Sequence, residues 1–402
     1  MSIHPRLSVT LAQPLKHALV VCLSGVPMVL MPAIAPMAAQ AQVVAQEEPL
    51  TQDVPVIQDG PILQEGAIAQ DPGQNARVIY VDSRAGNDAN GGTFGTPLRT
   101  ITQAIAAAQP GMVIQLAPGT YSAESGEQFP LRVPAGVTLR GSASSRGQGI
   151  EIVGGGRFLS RTQAGQSVAV VLENGAQVQG LTVSNPSIRG TGIWVEGGTA
   201  SILSSTLSGS HREGVFLSGN ANATVRGNVF YRNGGNGMAI TKQSRGLIVG
   251  NVFEATGYGV AIGDQAAPTL RNNRIVGNRD GVIINGLSRP TLRGNTIENN
   301  QNDGVVVIGQ ALPDLGSSGN PGGNQIRGNG RNAVFNATRD KRQFPFYGNT
   351  VSGPAPAQMA SAPVPPTPTP TRRAPARTVP ASTIPVGETV PVQEGTTGGW
   401  AN

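Results

Sequence analysis

The chain repeats itself about every 22 residues between Val183 and Val351, and this period constrains its fold more than any other feature. The repeated position is apolar and in most repeats follows an Asn by two residues. A fixed period of this size is the signature of stacked, nearly identical supersecondary units. The repeated positions are Val183, Leu207, Phe230, Phe253, Ile275, Ile297, Ile326 and Val351.

Each repeat contains three short strand-like pieces that are separated by Gly and Asn. One repeat reads Arg226-Gly-Asn-Val-Phe, then Gly237-Met-Ala-Ile, then Gly246-Leu-Ile-Val. No stretch between these pieces is long enough for a helix, and a strand rises about 3.3 Å per residue. The pattern therefore predicts an all-β fold, a single-stranded right-handed parallel β-helix. Strands from Val113 to Val351 predict about ten rungs.

Two further columns share the period. Stacked Asn side chains can tolerate turn geometry and bond one another along the solenoid, so we expect an amide ladder at Asn228, Asn251, Asn273, Asn295, Asn324 and Asn349. A column of Gly residues predicts corners with positive φ, which Gly enters without strain. These are Gly192, Gly214, Gly237, Gly259, Gly281 and Gly304.

A short amphipathic helix is predicted ahead of the repeats. Thr100 and Gln103 have the spacing of a capping box, and Pro110 and Gly111 end the pattern. Such a helix would cover the open apolar end of the first rung, which is otherwise an adhesive edge.

The two ends of the chain differ from the repeats in composition. Residues 1–41 resemble a cleaved signal peptide, with an uncleaved anchor as the alternative, and residues 42–76 an acidic disordered linker. Residues 77–353 form the predicted β-helix domain, and residues 354–402 a Pro/Thr-rich disordered tail. Cleavage would remove Cys22 and leave no stable transmembrane segment. We therefore expect a secreted protein, either periplasmic or extracellular at the cell surface.

The predicted domain is basic, because residues 77–353 hold 24 Lys and Arg against 15 Asp and Glu, a net charge of +9. The excess could favour acidic polysaccharides or simply maintain solubility. No nucleic-acid motif accompanies it, so no nucleic-acid partner is expected.

The segment before the repeats resembles a known bacterial family. Its motifs are Tyr80-Val-Asp, Gly86-Asn-Asp, Pro97-Leu-Arg-Thr-Ile, Pro110-Gly, Ala117-Pro-Gly-Thr-Tyr and Val137-Thr-Leu-Arg-Gly. They are similar to the pectin-lyase-like family labelled domain of unknown function 1565. The later repeats resemble the carbohydrate-binding and sugar-hydrolase β-helix repeats of NosD-type periplasmic proteins. The resemblance implies the fold and a cell-envelope setting, and it implies no activity.

One column of the repeats offers candidate catalytic groups. Asp280 and Asp303 precede corner Gly residues in successive rungs, about 5 Å apart at the strand spacing, with Arg279 beside them. Such a pair could serve a hydrolase, which needs one protonated and one ionised carboxyl group. Asp before Gly is also ordinary turn chemistry. A lyase would need a Lys or Arg base near Ca²⁺ held by carboxylates.

Other residues suggest binding. Trp194 and Phe216 should lie stacked on the outward face of the strands, where they could pack on sugar rings or lie beneath the N-terminal segment or the tail. Asp82 and Asp88 lie in an oxygen-rich loop that could hold Ca²⁺, although Asx turns look the same. His211 reads as an incidental loop residue.

These observations favour a cell-envelope β-helix protein with a non-catalytic role, either carbohydrate recognition or a structural one. The alternative is a polysaccharide hydrolase or lyase acting on an acidic glycan. The sequence does not decide whether the protein is an enzyme.

Overall fold

Most repeats contribute one strand to each of three parallel sheets in the computed structural model, which describes residues 77–355. Sheet 1 contains Val78–Val81, Val113–Leu116, Thr138–Arg140, Ala176–Gln179, Thr199–Leu203, Asn222–Arg226, Arg245–Val249, Thr269–Arg271 and Thr291–Arg293. Sheet 2 contains Gly119–Tyr121, Ile150–Val153, Thr182–Ser184, Thr206–Ser208, Val229–Tyr231, Val252–Glu254, Arg274–Val276, Thr296–Glu298, Gln325–Arg327 and Thr350–Val351.

Sheet 3 contains Leu131–Val133, Ala164–Leu172, Gly190–Glu196, Glu213–Ser218, Asn236–Ile240, Tyr258–Ile262, Asp280–Ile284, Val305–Gly309 and Val334–Thr338. One further strand, Gly156–Ser160, pairs antiparallel with Ala164–Leu172. The remaining elements are the α-helix Ile101–Ala107 and the 3-10 helix Ala123–Ser125. The predicted parallel β-helix of about ten turns is confirmed.

The apolar column that reveals the period lies inside the solenoid. Its members are register partners on sheet 2, from Val183 opposite Leu207 to Ile326 opposite Val351. Phe230 and Phe253 stack with ring centroids 4.4 Å apart. Burial of each such side chain stabilises the fold by about 1.5–3 kcal/mol, so the core is built one rung at a time.

The Asn ladder forms as predicted between sheets 1 and 2. Each amide Nδ2 donates to the Oδ1 of the next rung at 2.8–3.0 Å, from Asn228 through to Asn349. The same Nδ2 groups also donate to carbonyl oxygens of sheet 1, as from Asn273 to Ile248 at 2.8 Å. Each Oδ1 also accepts a backbone N–H from the rung before it, as from Asn251 to Asn273 at 3.0 Å. The ladder therefore satisfies the polar backbone of a buried corner.

A second polar column closes the corner between sheets 2 and 3, and the sequence analysis missed it. Asn278 donates to Asn300 at 3.1 Å, and Asn300 donates to Asn329 at 2.8 Å. In earlier rungs the backbone N–H groups of Ser210 and Thr256 donate hydrogen bonds to the Oδ1 atoms of Asn residues in the next rung. The same period would have revealed this column, but Ser and Thr replace Asn in some rungs and obscure the pattern.

The prediction of positive φ for the Gly column is wrong. Positive φ angles occur at other Gly residues, including Gly227, Gly250 and Gly277. The predicted column faces the next rung instead: a Cβ on Gly237 would lie 2.7 Å from the carbonyl oxygen of Gly259. Gly is required there because rungs approach too closely for any side chain.

The predicted helix packs on the first rung. Ile101 and Ala104 are fully buried in the core, and the helix contacts the first strands of sheets 1 and 3. The predicted capping box is half correct: Thr100 Oγ1 accepts from Gln103 N–H at 3.0 Å. The N–H of Thr100 itself bonds to Asp88 at 2.9 Å rather than to Gln103.

A buried carboxylate that the sequence analysis did not identify completes the start of the helix. Glu127 accepts backbone N–H groups from Ile101 at 2.7 Å and Thr102 at 2.9 Å. Burial raises the pKa of Glu127, although these hydrogen bonds oppose the increase. The carboxylate thus ties the helix to the loop that leads into the first rung.

The predicted signal peptide, the acidic linker and residues 356–402 lie outside the described residues. Predictions about those segments, and the domain boundaries drawn from them, remain predictions. Within residues 77–355, no helix is long and apolar enough to cross a membrane.

Replacing Asn273 with Ala should destabilise the whole solenoid. The substitution leaves the N–H and Nδ2 of Asn251 without their acceptor inside a buried corner, at about 1–3 kcal/mol for each buried group. Thermal and urea unfolding would measure the loss. Asn222→Ala, on the exposed face of sheet 1, is the matched control and should change stability little. Equal stability of the two variants would contradict a structural role for the ladder.

Candidate functional site

The outward face of sheet 3 carries a continuous apolar column. Successive register partners are Trp194, Phe216, Ala239, Ala261, Ile283, Val306 and Phe335. The sequence analysis predicted the outward direction of Trp194 and Phe216. The column runs along the axis of the solenoid, so its members repeat at about 4.8 Å.

A hairpin covers one end of this column. Gly156–Ser160 folds outward against Ala164–Leu172 and brings Phe158 over Trp194, with ring centroids 5.7 Å apart. Trp194 stacks in parallel on Phe216 at 4.2 Å and is only 1% exposed. Among the described residues, the cover is therefore this hairpin rather than the segment before the repeats.

The loop of the hairpin is anchored to the rungs beneath it. Glu196 accepts hydrogen bonds from the Ser160 hydroxyl at 2.7 Å and from the Thr162 backbone at 2.8 Å. The Thr162 hydroxyl also lies 2.6 Å from that of Ser218. These bonds hold the loop at a defined height above sheet 3, so the hairpin forms the end wall of a groove.

That groove has a volume of about 400 Å³ and lies on the outer face of sheet 3. Its floor includes Phe216, Ala261 and Ile283. Its walls are polar and carry both hydrogen-bonding and charged side chains. They include Gln163, Gln166, Arg212, Glu213, Asn236, Thr241, Lys242, Asp264 and Asn285.

Glu213 is the buried carboxyl group of the groove. Its side chain is 2% exposed and lies 3.0 Å from the guanidinium of Arg212. The Thr191 hydroxyl donates to it at 2.9 Å, and Asn236 donates to it more weakly at 3.4 Å. Burial raises the pKa of Glu213, and the charge of Arg212 together with these hydrogen bonds limits the increase. A carboxyl group of this kind can hold or release a proton beside a ligand.

The opposite wall carries a second ion pair. The ammonium of Lys242 lies 3.3 Å from Asp264, which also accepts the Lys242 backbone N–H at 3.0 Å. Gln163 reaches across from the hairpin towards the Thr241 hydroxyl at 3.5 Å. Both positive groups that line the groove are therefore paired with a carboxylate.

The predicted carboxylate Asp280 lies three rungs beyond Glu213 in the same register column, which runs through Asn236 and Tyr258, and Asp303 follows one rung later. Asp280 accepts the backbone N–H of Asp303 at 3.1 Å and lies 3.5 Å from Arg279. Arg331, which the sequence analysis missed, contacts both carboxylates, at 3.8 Å and 3.2 Å. Arg279 also lies over the ring of Tyr258 at 4.3 Å. The structure thus brings the three predicted residues together, within an ion-pair network outside the groove.

The loop predicted as a possible Ca²⁺ site uses its oxygens internally. Asp82 accepts backbone N–H groups from Arg84 and Ala85, and Asp88 accepts from the backbone of Arg99. Among residues 77–355, no cluster of three or more His, Cys, Asp or Glu side chains could hold a metal ion. His211 accepts the Arg189 N–H at 3.3 Å and is exposed.

One sequence signal for the groove was available. On sheet 2, Ile152 and Val183 are register partners. They are separated by 31 residues, whereas successive rungs are usually separated by about 22. The extra residues of this rung form the hairpin that walls the groove. Lys242, Asp264 and Asn285 carry no local motif, because they meet the hairpin only through the stacking of rungs.

The three sheets and this groove define a parallel β-helix protein. More specifically, the chain belongs to the family described as protein of unknown function (DUF1565), whose family model matches residues 84–352. A search of the curated proteins finds no match.

Several solved structures are similar in fold. Pectate lyase Pel9A shares 18% identity over 66% of this chain and 78% of its own, with a TM-score of 0.49. A lacto-N-biosidase from Eubacterium ramulus shares 16% over 68% and 66%, with a TM-score of 0.40. The periplasmic alginate epimerase AlgG shares 13% over 62% and 73%, with a TM-score of 0.39. Identities this low leave the function to be inferred from this chain's own side chains.

Replacing Glu213 with Gln should alter how stability depends on pH. The carboxyl is neutral in both states below its ordinary pKa of 4.5, whereas above that value the folded chain must bury its charge. The parent should therefore lose stability relative to Glu213→Gln as the pH rises from about 4 to about 7, by about 2–4 °C in Tm for each kcal/mol. The exposed Glu151→Gln serves as control. A pH-independent difference would contradict this account of Glu213.

Two substitutions of Asp303 test whether the charge of its carboxylate stabilises the fold, or only the hydrogen bond that its oxygen accepts in the turn. Asn keeps the oxygen that accepts from Asn332 N–H at 3.0 Å, and the Arg331 side chain is 60% exposed. Asp303→Asn should therefore cost less than about 1 kcal/mol. Asp303→Leu should cost about 1–3 kcal/mol, because it removes the acceptor. Urea unfolding separates these outcomes, and equal large losses would assign the charge itself a structural role.

Proposed function

We propose that this chain is an extracytoplasmic β-helix protein that binds carbohydrate in the sheet 3 groove without cleaving it. The observation that carries the proposal is the groove itself. Its volume of about 400 Å³ falls within the usual range of ligand pockets, about 300–1,000 Å³. The signal-peptide pattern of residues 1–41 supports the location outside the cytoplasm.

The lining of the groove suits the two kinds of surface that a sugar presents. Apolar groups on the floor, Phe216, Ala261 and Ile283, can pack against C–H faces. Amide and hydroxyl groups on the walls, such as Gln166, Thr241 and Asn285, can exchange hydrogen bonds with sugar hydroxyls. Such a lining binds by many small contacts and needs no reactive group.

The carboxylates beside the groove favour binding over cleavage. A glycoside hydrolase needs a proton-donating carboxyl group and a second carboxylate as base or nucleophile. Glu213 is engaged by Arg212 and Thr191, and Asp264 by Lys242. Breaking these contacts would cost free energy before any chemistry began.

The second candidate is a polysaccharide hydrolase or lyase, and one observation favours it. Burial raises the pKa of Glu213 at the edge of the groove, which is the adjustment that a general acid requires. In that role Glu213 would donate a proton to the leaving oxygen, and Asp264, the other carboxylate that lines the groove, would be the candidate base. Lys242 would be the candidate base of a lyase.

A glycan array with the full chain, followed by calorimetry on the best ligand, tests the proposal. Asn285→Ala should weaken binding about tenfold, the equivalent of about 1.4 kcal/mol. Asn222→Ala, on the face of sheet 1, should leave it unchanged. If the protein binds no glycan on the array, or if both variants bind the ligand equally well, the groove is not the carbohydrate-binding site.

Reducing-sugar and unsaturated-uronate assays on the same glycans distinguish the second candidate. Binding without product supports the non-catalytic proposal. Product formation that is lost in Glu213→Gln but retained in Asp280→Asn would establish a hydrolase centred on the groove. Loss in Asp280→Asn would instead place the chemistry in the Asp280 and Asp303 pair.

A further inference from the structure

The groove is closed at one end across the full width of sheet 3. The hairpin contacts both ends of the strand Glu213–Ser218. Beside the start of that strand, the Arg212 guanidinium lies 3.5 Å from the side-chain oxygen of Gln166. At its end, the Thr162 hydroxyl lies 2.6 Å from that of Ser218. A ligand that lies along the axis of the solenoid therefore meets the hairpin as a barrier.

The other end of the groove is open. Next to the hairpin, Ala239 is only 4% exposed, whereas Ala261 and Ile283 are half-buried and Phe335 is 43% exposed. Val306 is buried between the larger side chains of Ile283 and Phe335, its register partners. Four spacings of about 4.8 Å separate Ala239 from Phe335, so the apolar strip is about 19 Å long. A ligand can leave the groove along this strip.

Polar groups border the strip on both sides. On the side where the strands begin, Asn236 and Tyr258 are register partners. On the side where the strands end, the Gly263 and Asn285 N–H groups each donate to the preceding rung at 2.9 Å. The two borders therefore run parallel to the apolar floor. Together they form a trough along the solenoid axis, and this shape suits a linear ligand.

The charges along the trough are balanced. Each cation that lines the groove is paired with a carboxylate, and the same holds for two Arg residues on the rungs at its open end. The pairs are Arg212 with Glu213, Lys242 with Asp264, Arg279 with Asp280, and Arg331 with Asp303. An acidic chain would have to displace a carboxylate from each cation that it used, whereas an uncharged chain leaves all four pairs intact. The site therefore discriminates against acidic chains.

We propose that the groove takes the end of a linear, uncharged glycan, with the terminal sugar against the hairpin and the following sugars along the strip towards Phe335. This inference rests on the proposed carbohydrate binding and adds which part of which kind of glycan is bound. A terminal sugar has a hydroxyl group where an internal sugar has its next glycosidic bond. Gln163 and Gln166 line the groove from the hairpin, and their amides can exchange hydrogen bonds with that hydroxyl. An internal segment would have to pass through the hairpin.

Calorimetry with the full chain tests the class of glycan. The probes are cello-, malto-, manno- and laminari-oligosaccharides of two to six sugars, with hexagalacturonate as the acidic counterpart. We expect one neutral series to bind, and hexagalacturonate to bind at least about tenfold more weakly. If no probe binds, the carbohydrate proposal itself fails. Equal or tighter binding of hexagalacturonate would overturn only the assignment to an uncharged glycan.

The number of protein molecules on each long glycan chain separates ends from internal segments. A longer, soluble fraction of the same unbranched polymer is mixed with excess protein, and light scattering after size exclusion gives the mass of the complex. Recognition of one kind of end predicts one protein per polymer chain, whatever its length. Several proteins per chain, increasing in number with polymer length, would refute end recognition and leave carbohydrate binding intact.

Phe335 tests the path of the bound chain. Phe335→Ala should weaken binding of the six-sugar member about tenfold and leave the two-sugar member unaffected, because only the longer ligand reaches this ring. Tyr347→Ala is the matched control, since Tyr347 is an aromatic residue of similar exposure, 44%, that lies outside the strip. It should change neither affinity. An unchanged six-sugar affinity in Phe335→Ala, or an equal loss in Tyr347→Ala, would contradict this path.

Discussion

Side-chain hydrogen bonds that are stacked from rung to rung at two corners of the solenoid, most of them from Asn amides, are the interaction on which the rest of the structure depends. A parallel solenoid must turn its backbone sharply three times per rung, and each turn buries polar groups that the sheets cannot pair. The ladder from Asn228 to Asn349 provides those partners and also fixes the height of each rung on the next. Once the register is set, the apolar column inside and the columns outside follow.

The candidate site arises where this regularity is interrupted. An insertion within one rung leaves the stack as the hairpin that includes Phe158 and returns to pair with its own strand. It covers Trp194 and encloses one end of the sheet 3 face, converting a flat surface into a groove. A repeat scaffold thus acquires a specific site by lengthening one unit and leaving its neighbours unchanged.

The groove and the outer face of sheet 1 differ in net charge. In the groove, Arg212 is paired with Glu213 and Lys242 with Asp264, so the site has little net charge with which to attract an acidic ligand. The strands of sheet 1, by contrast, contain five Arg and no Asp or Glu. The basic composition of the domain is therefore a poor guide to what the groove binds, because charge acts through its position.

The sequence by itself determined the solenoid, its inner column, the first Asn ladder and the helix on the first rung. These features depend on a period of about 22 residues and on local signals such as Thr100 and Pro110, which are readable in one dimension. Only the tertiary structure decided that Gly237 is needed for close rung contact, that Phe158 covers Trp194, and that the buried carboxyl beside the groove is Glu213. Each depends on atoms brought together by stacking from separate rungs, and sequence spacing carries no measure of that distance.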